Sequence, residues 1–368
     1  MQEGILVTPI IFIVGLLLLA AISSIGLRRI RFPYTIGLVV LGVIVAALGN
    51  YFDLPQPIHL TPDIIYYILL PTLIFSAAIN IDVPLLWQNL APVLLLAAPG
   101  LILSTVIVGG MVGVLTPLSF GAALLFGALI SATDPVAVIA LFEGLGTPKR
   151  LTMLVDGESL FNDATAIVLF NIIFAAISSG AWGAMTLVYA AGDFAVVFVG
   201  GILVGAAIGL INVPLMNLAK NDPLIEIAFS TVLAYTTFIV ANYYLDVSGV
   251  MAVVGAGMVV SYRARKSLTP EVRQYLRNYW EYATFLANSF IFLLLGTTEF
   301  GLVPDLLHYQ GIIAPVIYAI IAVTVARAVV VYGLIPILNK IERREPIDLR
   351  YQTVMFWGGL RGGVPLAL

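Results

Sequence analysis

Two acidic segments interrupt a chain that is otherwise apolar enough for lipid: Thr133-Asp134-Pro135 and Glu158-Ser159-Leu160-Phe161-Asn162-Asp163. An Asp near a bilayer centre costs roughly 2.5 to 3.5 kcal/mol on insertion scales, so carboxylates kept at that depth face watery cavities and handle ions or protons. Ser159 and Asp163 are four residues apart and share one face of a helix, while Glu158 and Asn162 share a second. A hydroxyl, two carboxylates and loosened backbone carbonyls make a hard-oxygen pocket suited to a small alkali cation. Removal from water disfavours the charged form of an acid. A buried Asp163 can therefore hold a proton or a metal cation, each excluding the other.

The elements that carry these residues are broken helices. Pro135 has no N–H to give the Ser131 carbonyl, its ring crowds that carbonyl, and Asp134 before it is pushed out of the α region. The helix should unwind at Thr133 to Pro135. A corresponding interruption, Gly358 to Pro365, contains four glycines and Arg361. Irregular backbone at membrane depth is tolerated only inside protein or beside a water-filled cavity. A pair of interrupted helices in matching positions of two halves points to a secondary transporter's midplane site. A proline kink with glycine-mediated packing is the plainer account of each break alone; the adjacent aspartate and the second break outweigh it. Counted from Leu151 at a basic interface, Asp163 comes after about 18 Å of helix, near the middle of a ~30 Å hydrocarbon core.

Composition agrees. Of 368 residues, 61% are hydrophobic and 10% charged, against roughly 25% charged in soluble domains, so the chain is an all-α polytopic membrane protein. A net charge of -3 spread over few ionisable side chains leaves no footprint for nucleic acid. The absence of cysteine excludes disulfides, thiolate catalysis and Cys-ligated metal, and His59 and His308 are too far apart to suggest a metal motif. No cofactor is implied. Paired intramembrane aspartates also occur in aspartyl proteases, but those read Tyr-Asp and Gly-x-Gly-Asp where this chain reads Thr-Asp-Pro and Asn-Asp; no enzyme is expected.

Apolar windows predict twelve spans, at 5-26, 33-49, 63-79, 90-115, 120-145, 151-177, 186-211, 223-244, 248-262, 282-298, 311-338 and 351-368. The first is too long for a signal-peptide core and is followed, not preceded, by Arg28, Arg29 and Arg31. It is read as a retained helix with its N-terminus outside. The segments after odd-numbered spans then hold every Lys and Arg except Arg327 and Arg361, which lie within spans. That is the positive-inside pattern of a multi-pass cell-membrane protein. In the long cytoplasmic segment from Arg263 to Glu281, the spacing of Val272, Tyr275, Leu276 and Tyr279 predicts a helix lying at the interface, either a solvated loop helix or a regulatory element. Gly201, Gly205 and Gly209 recur every fourth residue and predict close helix packing. Because the chain stops at Leu368 inside an apolar stretch, the twelfth helix is read as truncated, with its remainder and one further helix missing.

The run Ala132-Thr133-Asp134-Pro135-Val136-Ala137-Val138, followed by Gly157-Glu158-Ser159-Leu160-Phe161-Asn162-Asp163-Ala164, resembles the monovalent cation:proton antiporter-1 family, the sodium/proton exchangers of NhaP and NHE type. Gly358-Gly359-Leu360-Arg361-Gly362 resembles a third family motif, and the resemblance covers essentially the whole chain. It implies a NhaA-like inverted-repeat fold in which the fifth and twelfth of thirteen helices are broken and cross. It also implies one transporter domain over 1-368, with a core part at about 63-178 and 282-368 and a dimerisation part at about 1-62 and 186-262. The core moves elevator-fashion within a homodimer, giving alternating access. On the same ground Asp163 is the exchanged ion and proton carrier. Sodium is ligated by Asp163, Glu158, Ser159 and Thr133, with Asp134 completing the shell, and Asn162 holds the unwound stretch next to Pro135. Members with Asn at that position exchange one Na+ (or Li+) for one H+ electroneutrally. The family pattern pairs Arg327 with Glu158 and places Arg361 at the twelfth-helix crossing; snorkelling to an interface is the alternative for each. The remaining alternatives are K+/H+ or Ca2+/H+ exchange at the same site, or a proton-uncoupled cation channel. Asp156 either attracts cations in the cytoplasmic approach or is simply solvated, and Asp193 and Glu226, near span ends, receive no function.

Overall fold

The structure, a computed structural model, describes residues 4-29, 34-52, 61-133, 142, 146-180, 184-219, 222-302, 311, 313-341 and 346-359. Among these the chain is helical almost throughout. The helices are α1 (Gly4–Arg29), α2 (Tyr34–Tyr51), α3 (62-80), α4 (Val83–Gln88), α5 (Leu90–Leu115), α6 (Phe120–Ser131) and α7 (Lys149–Ser179), then α8 (Ala184–Leu218), α9 (Pro223–Tyr244), α10 (Gly249–Ser267), α11 (Pro270–Glu299), α12 (Ile313–Ile341) and α13 (Leu349–Trp357). Six described helices, α2, α5, α7, α8, α9 and α12, are long and apolar enough to cross a membrane, and four shorter apolar stretches accompany them. Large apolar side chains face outward, Ile11, Leu18, Leu203 and Ile320 among them, as lipid requires and water would penalise.

Packing divides the chain into two compact units. One gathers Met1–Leu73 and Asn278–Ile312. In it α2 and α11 run parallel and touch backbone to backbone at Gly42 and Gly296: a Cβ on Gly42 would lie 2.9 Å from the Gly296 Cα, and a Cβ on Gly296 equally close to the Gly42 Cα. At the start of this crossing the Tyr34 hydroxyl is 2.8 Å from Ser289 Oγ and the Tyr34 ring stacks on Phe285. The other unit gathers Ile74–Arg277 and Ile313–Leu366 and holds every described residue of the candidate site. In it α5 and α6 are antiparallel, meeting where Gly127 comes against the Thr105 carbonyl and Gly109. Val108 and Val112 of α5, Ala123 of α6, and Ala322 and Ala326 of α12 form one buried cluster.

The predicted glycine series packs against α10. Gly201 lies on Ser248, Gly205 on Ala252 and Gly209 on Ala256, so both numbers rise together and the helices are parallel. A Cβ at Gly205 would fall inside the Ala252 backbone, whereas one at Gly110, on α5, would meet nothing within 4 Å. Gly205→Ala is therefore expected to destabilise the protein by about 1 to 3 kcal/mol through forced separation of the helices. Gly110→Ala should be neutral or slightly stabilising, because alanine is the better helix former. Thermal unfolding of the two variants in one detergent checks the contrast; equal midpoints would refute it.

Two boundaries differ from the sequence reading. The segment from Arg263 to Glu281 is not a separate interfacial helix: α10 runs on to Ser267, and α11 begins at Pro270 and continues unbroken to Glu299. Val272, Leu276 and Trp280 form its buried stripe, while Tyr275 is exposed. The periodicity was that of the first turns of the tenth span. The six-residue α4, capped by Asp82, whose carboxylate accepts from the Leu85 N–H at 3.2 Å, falls between predicted spans.

Candidate functional site

The site is built on α7, which carries Glu158, Ser159, Asn162 and Asp163 within little more than one turn. Pro148 precedes its first residue and Gly180, in the left-handed region at φ 65°, ends it. Gly157 lets this helix approach α4 and α5 closely, since a Cβ there would sit 3.1 Å from Val93 and 3.3 Å from Leu86. At the N-terminus the Arg150 guanidinium donates to buried Asn89 Oδ1 at 2.9 Å, fixing the helix to the α4–α5 junction.

The fifth predicted span breaks where expected. Its helix, α6, stops at Ser131, and Ala132 is extended at φ -62° and ψ 140°. Buried Ala132 packs with Leu101 of α5 and Ala166 of α7, leaving the freed backbone of Thr133 facing α7. The Ser159 hydroxyl donates to the Thr133 carbonyl at 2.7 Å and the Asn162 amide donates to Thr133 Oγ1 at 2.6 Å. Two side chains one turn apart thus hold the interrupted strand of backbone, compensating the helical bonds it has lost. Thr133, Ser159 and Asn162 are all buried, and Asp163, four residues beyond Ser159, is half-buried.

A second helix end arrives from α13. This helix ends at Trp357, with the Gly358 N–H donating to Val354 O at 2.7 Å. The Met355 carbonyl in its last turn accepts from Arg327 Nη2 at 2.7 Å. The same guanidinium engages Glu158 with both terminal nitrogens, Nη1 to Oε1 and Nη2 to Oε2, the latter at 3.1 Å. A two-pronged contact of this kind is the strongest form of carboxylate pairing. Gly359 passes against Arg327, where a Cβ would come within 2.6 Å of Nε. Glycine is the residue that leaves room for the guanidinium.

Two π turns flank this contact. Leu96–Gly100 opens α5 around Pro99, and Val330–Leu334 opens α12 just after Arg327. Such single π turns inside α-helices are frequent at functional sites. The two touch, with a Cβ on Gly100 falling 3.0 Å from Val330 Cγ1.

The structure therefore brings Thr133, Glu158, Ser159, Asn162 and Arg327 together and places Asp163 one turn further along α7. Asp134, Pro135 and Arg361 lie outside the described residues. Both oxygens of Glu158 are occupied by Arg327, so its charge is already compensated. With both its oxygens on Arg327, Glu158 can ligate a cation only beside that positive charge, which a shift of Arg327 would relieve. Several residues escaped the sequence reading: Ser104 and Ser131, whose hydroxyl oxygens lie 3.0 Å apart, and the Met355 carbonyl; Glu226, named in the sequence as near a span end and without a function, is fully buried with neither carboxylate oxygen partnered among the described residues. Ser104 and Ser131 lie in apolar runs, the one signal that could have singled them out.

Six membrane-length helices, together with two shorter ones, α6 and α13, that end at a buried cluster of acid, amide, hydroxyl and guanidinium, define an all-α multi-pass membrane protein. The family model described as sodium/hydrogen exchanger, transmembrane, matches residues 13–368, and the chain belongs to that family. It is 37% identical over 357 residues to the Na(+)/H(+) antiporter ApNhaP of Aphanothece halophytica, covering 95% of this chain and 64% of that protein. It is 32% identical to sodium/hydrogen exchanger 7 of Arabidopsis thaliana, of which it spans 32%. It is 31% identical to the Na(+)/H(+) antiporter NhaH of Halobacillus dabanensis, covering 97% of this chain and 88% of that protein. Among solved structures, the sodium proton antiporter MjNhaP1 from Methanocaldococcus jannaschii at pH 8 superposes with a TM-score of 0.77 at 20% identity, over 99% of this chain and 85% of that one. That last likeness is one of fold.

Proposed function

We propose that the chain exchanges sodium, or lithium, for protons across a cell membrane by alternating access at one site, with Asp163 as the shared carrier. The observation that carries this reading is the hold of Ser159 and Asn162 on the Thr133 backbone, one turn from Asp163. Unwound carbonyl, hydroxyl and carboxylate oxygens supply the hard ligands a desolvated alkali cation needs. Asp163, with Ser159, Thr133 and Asp134, takes the sodium; Glu158 joins when Arg327 shifts.

The stoichiometry follows from charge. Glu158 is balanced by Arg327, and Asn162 carries no proton at working pH. Loading and unloading of Asp163 by one proton or one sodium then leaves the net charge unchanged, and exchange is electroneutral and 1:1. In this reading the part at about 63-178 and 282-368 carries the ion against a dimerisation part at about 1-62 and 186-262 in a homodimer. The N-terminus lies outside and the basic loops face the cytoplasm.

The test is a pH-sensitive dye sealed in vesicles containing the full chain. A sodium pulse should drive proton movement in the opposite direction, saturably, with the same rate whether or not the membrane potential is clamped. Sodium flux without any dye response would overturn antiport in favour of an uncoupled cation channel. A panel of Na+, Li+, K+ and Ca2+ in the same assay assigns the substrate.

A further inference from the structure

Behind the Thr133 contact, on the side of α7 that meets α5 and α12, lies a cavity of ≈ 10 Å³ lined by Ser104, Ser131, Glu158, Asn162 and Arg327 together with four apolar residues. All five of these polar residues are buried. The Asn162 amide has one end engaged and one end not: Nδ2 donates to Thr133, while Oδ1 has no hydrogen-bond partner among the described residues. The Ser131 hydroxyl stands 2.6 Å from the Gly127 carbonyl and 3.0 Å from Ser104 Oγ. With its one proton on the Gly127 carbonyl, Ser131 takes the Ser104 hydrogen, and the Ser104 oxygen at this wall is left to accept.

We propose that this cavity is a binding site for a single ordered water, which donates to Asn162 Oδ1 and to Ser104 Oγ and accepts from Arg327 Nε, itself without a partner among the described residues. The volume is about what one water requires, and a buried water is held where it finds two to four polar partners. A sodium ion is disfavoured here because the Arg327 guanidinium forms part of the wall. The water completes the set of contacts that fixes the Asn162 side chain, and Asn162 in turn fixes Thr133. Ser104 is thereby a positioning residue: it never meets the cation, yet it sets how well the cation's ligands are held. The functional arm of this inference rests on the exchange reading; the structural arm does not.

The experiment uses the full chain in lipid, as wild type, Ser104→Ala and Ser104→Val. Ser104→Val removes a hydroxyl and fills the cavity, so the water is expelled; Ser104→Ala leaves the room and most of the partners. In the exchange assay the half-saturating sodium concentration should rise by about tenfold for Ser104→Val, the equilibrium equivalent of one lost hydrogen bond, and stay within about twofold for Ser104→Ala. Maximal rate and thermal midpoint should change little in either, a split that general loosening of the fold would not give. A cryo-EM map fine enough to show waters should place density against Asn162 Oδ1 in the wild type and none in Ser104→Val. An empty cavity in the wild-type map overturns the proposal, as does wild-type sodium affinity in a folded Ser104→Val. If that variant does not fold, the wild-type map decides alone. If the wild type moves no protons, the exchange reading falls, and the map still decides for or against the water.

Discussion

Asp163→Asn leaves the protein folded and inserted but reduces sodium-driven proton movement to that of protein-free vesicles. The amide matches the carboxylate in size, so α7 keeps its packing and the Ser159 and Asn162 contacts to Thr133 persist. What is lost is the one property the exchange needs at that position, an oxygen pair that can hold either a proton or a cation. An amide neither titrates in the working range nor balances a cation's charge. The dye assay measures transport, and gel filtration with thermal unfolding measures folding. Exchange that persists in a folded Asp163→Asn refutes the carrier assignment, whatever the fate of the other ligands.

Arg327→Met should be among the most destabilising single substitutions in the chain. It strands the Glu158 carboxylate, 2% exposed, and strips the Met355 carbonyl of its donor. Breaking a buried ion pair from one side costs about 3 to 5 kcal/mol, because a charge is left without compensation. Removing the charge from both sides should recover most of that, since paired charges must first be desolvated to meet. The double variant Glu158→Gln with Arg327→Met is therefore expected to be markedly more stable than Arg327→Met alone. Denaturant or thermal unfolding of the three proteins decides it. Equal stability of single and double variants would mean that the pair contributes little and that Arg327 acts through Met355 alone.

Much of this architecture is legible in the sequence because lipid removes alternatives. Backbone in hydrocarbon must bond to itself, so a proline beside an aspartate or a run of glycines with an arginine has few meanings. Both helices end within a residue or two of where those motifs begin, at Ser131 and at Trp357, and the remainder of each motif lies outside the described residues. The direction of packing also agrees with the span count, for α8 and α10 are parallel, as two odd-numbered spans must be. Other features leave no such trace. A serine in an apolar helix commonly satisfies itself on the carbonyl four residues back, as Ser131 does on Gly127, so residue type alone does not reveal its contact with Ser104 or the cavity between them. The π turns at Leu96–Gly100 and Val330–Leu334 depend on tertiary fit, and only Pro99 hints at the first. Glu226 follows the Asp222-Pro223 helix start, which reads as a water-facing end, and its burial is set by packing that sequence periodicity does not encode.

The ends of α6 and α13 have a further consequence. Each α-helix gathers roughly half an electron's worth of negative character at its C-terminal end; α6 ends at buried Ser131, and α13 ends at Trp357 with the Met355 carbonyl of its last turn against buried Arg327. Electron-rich ends of the main chain are thereby aimed inward, independent of pH and of any one side chain. These ends offset part of the positive charge that Arg327 brings to the site, and they do so whatever the protonation state of the acids nearby. Part of the compensation for a buried guanidinium is thereby built into the backbone itself, and the acids are left to decide which cation stays.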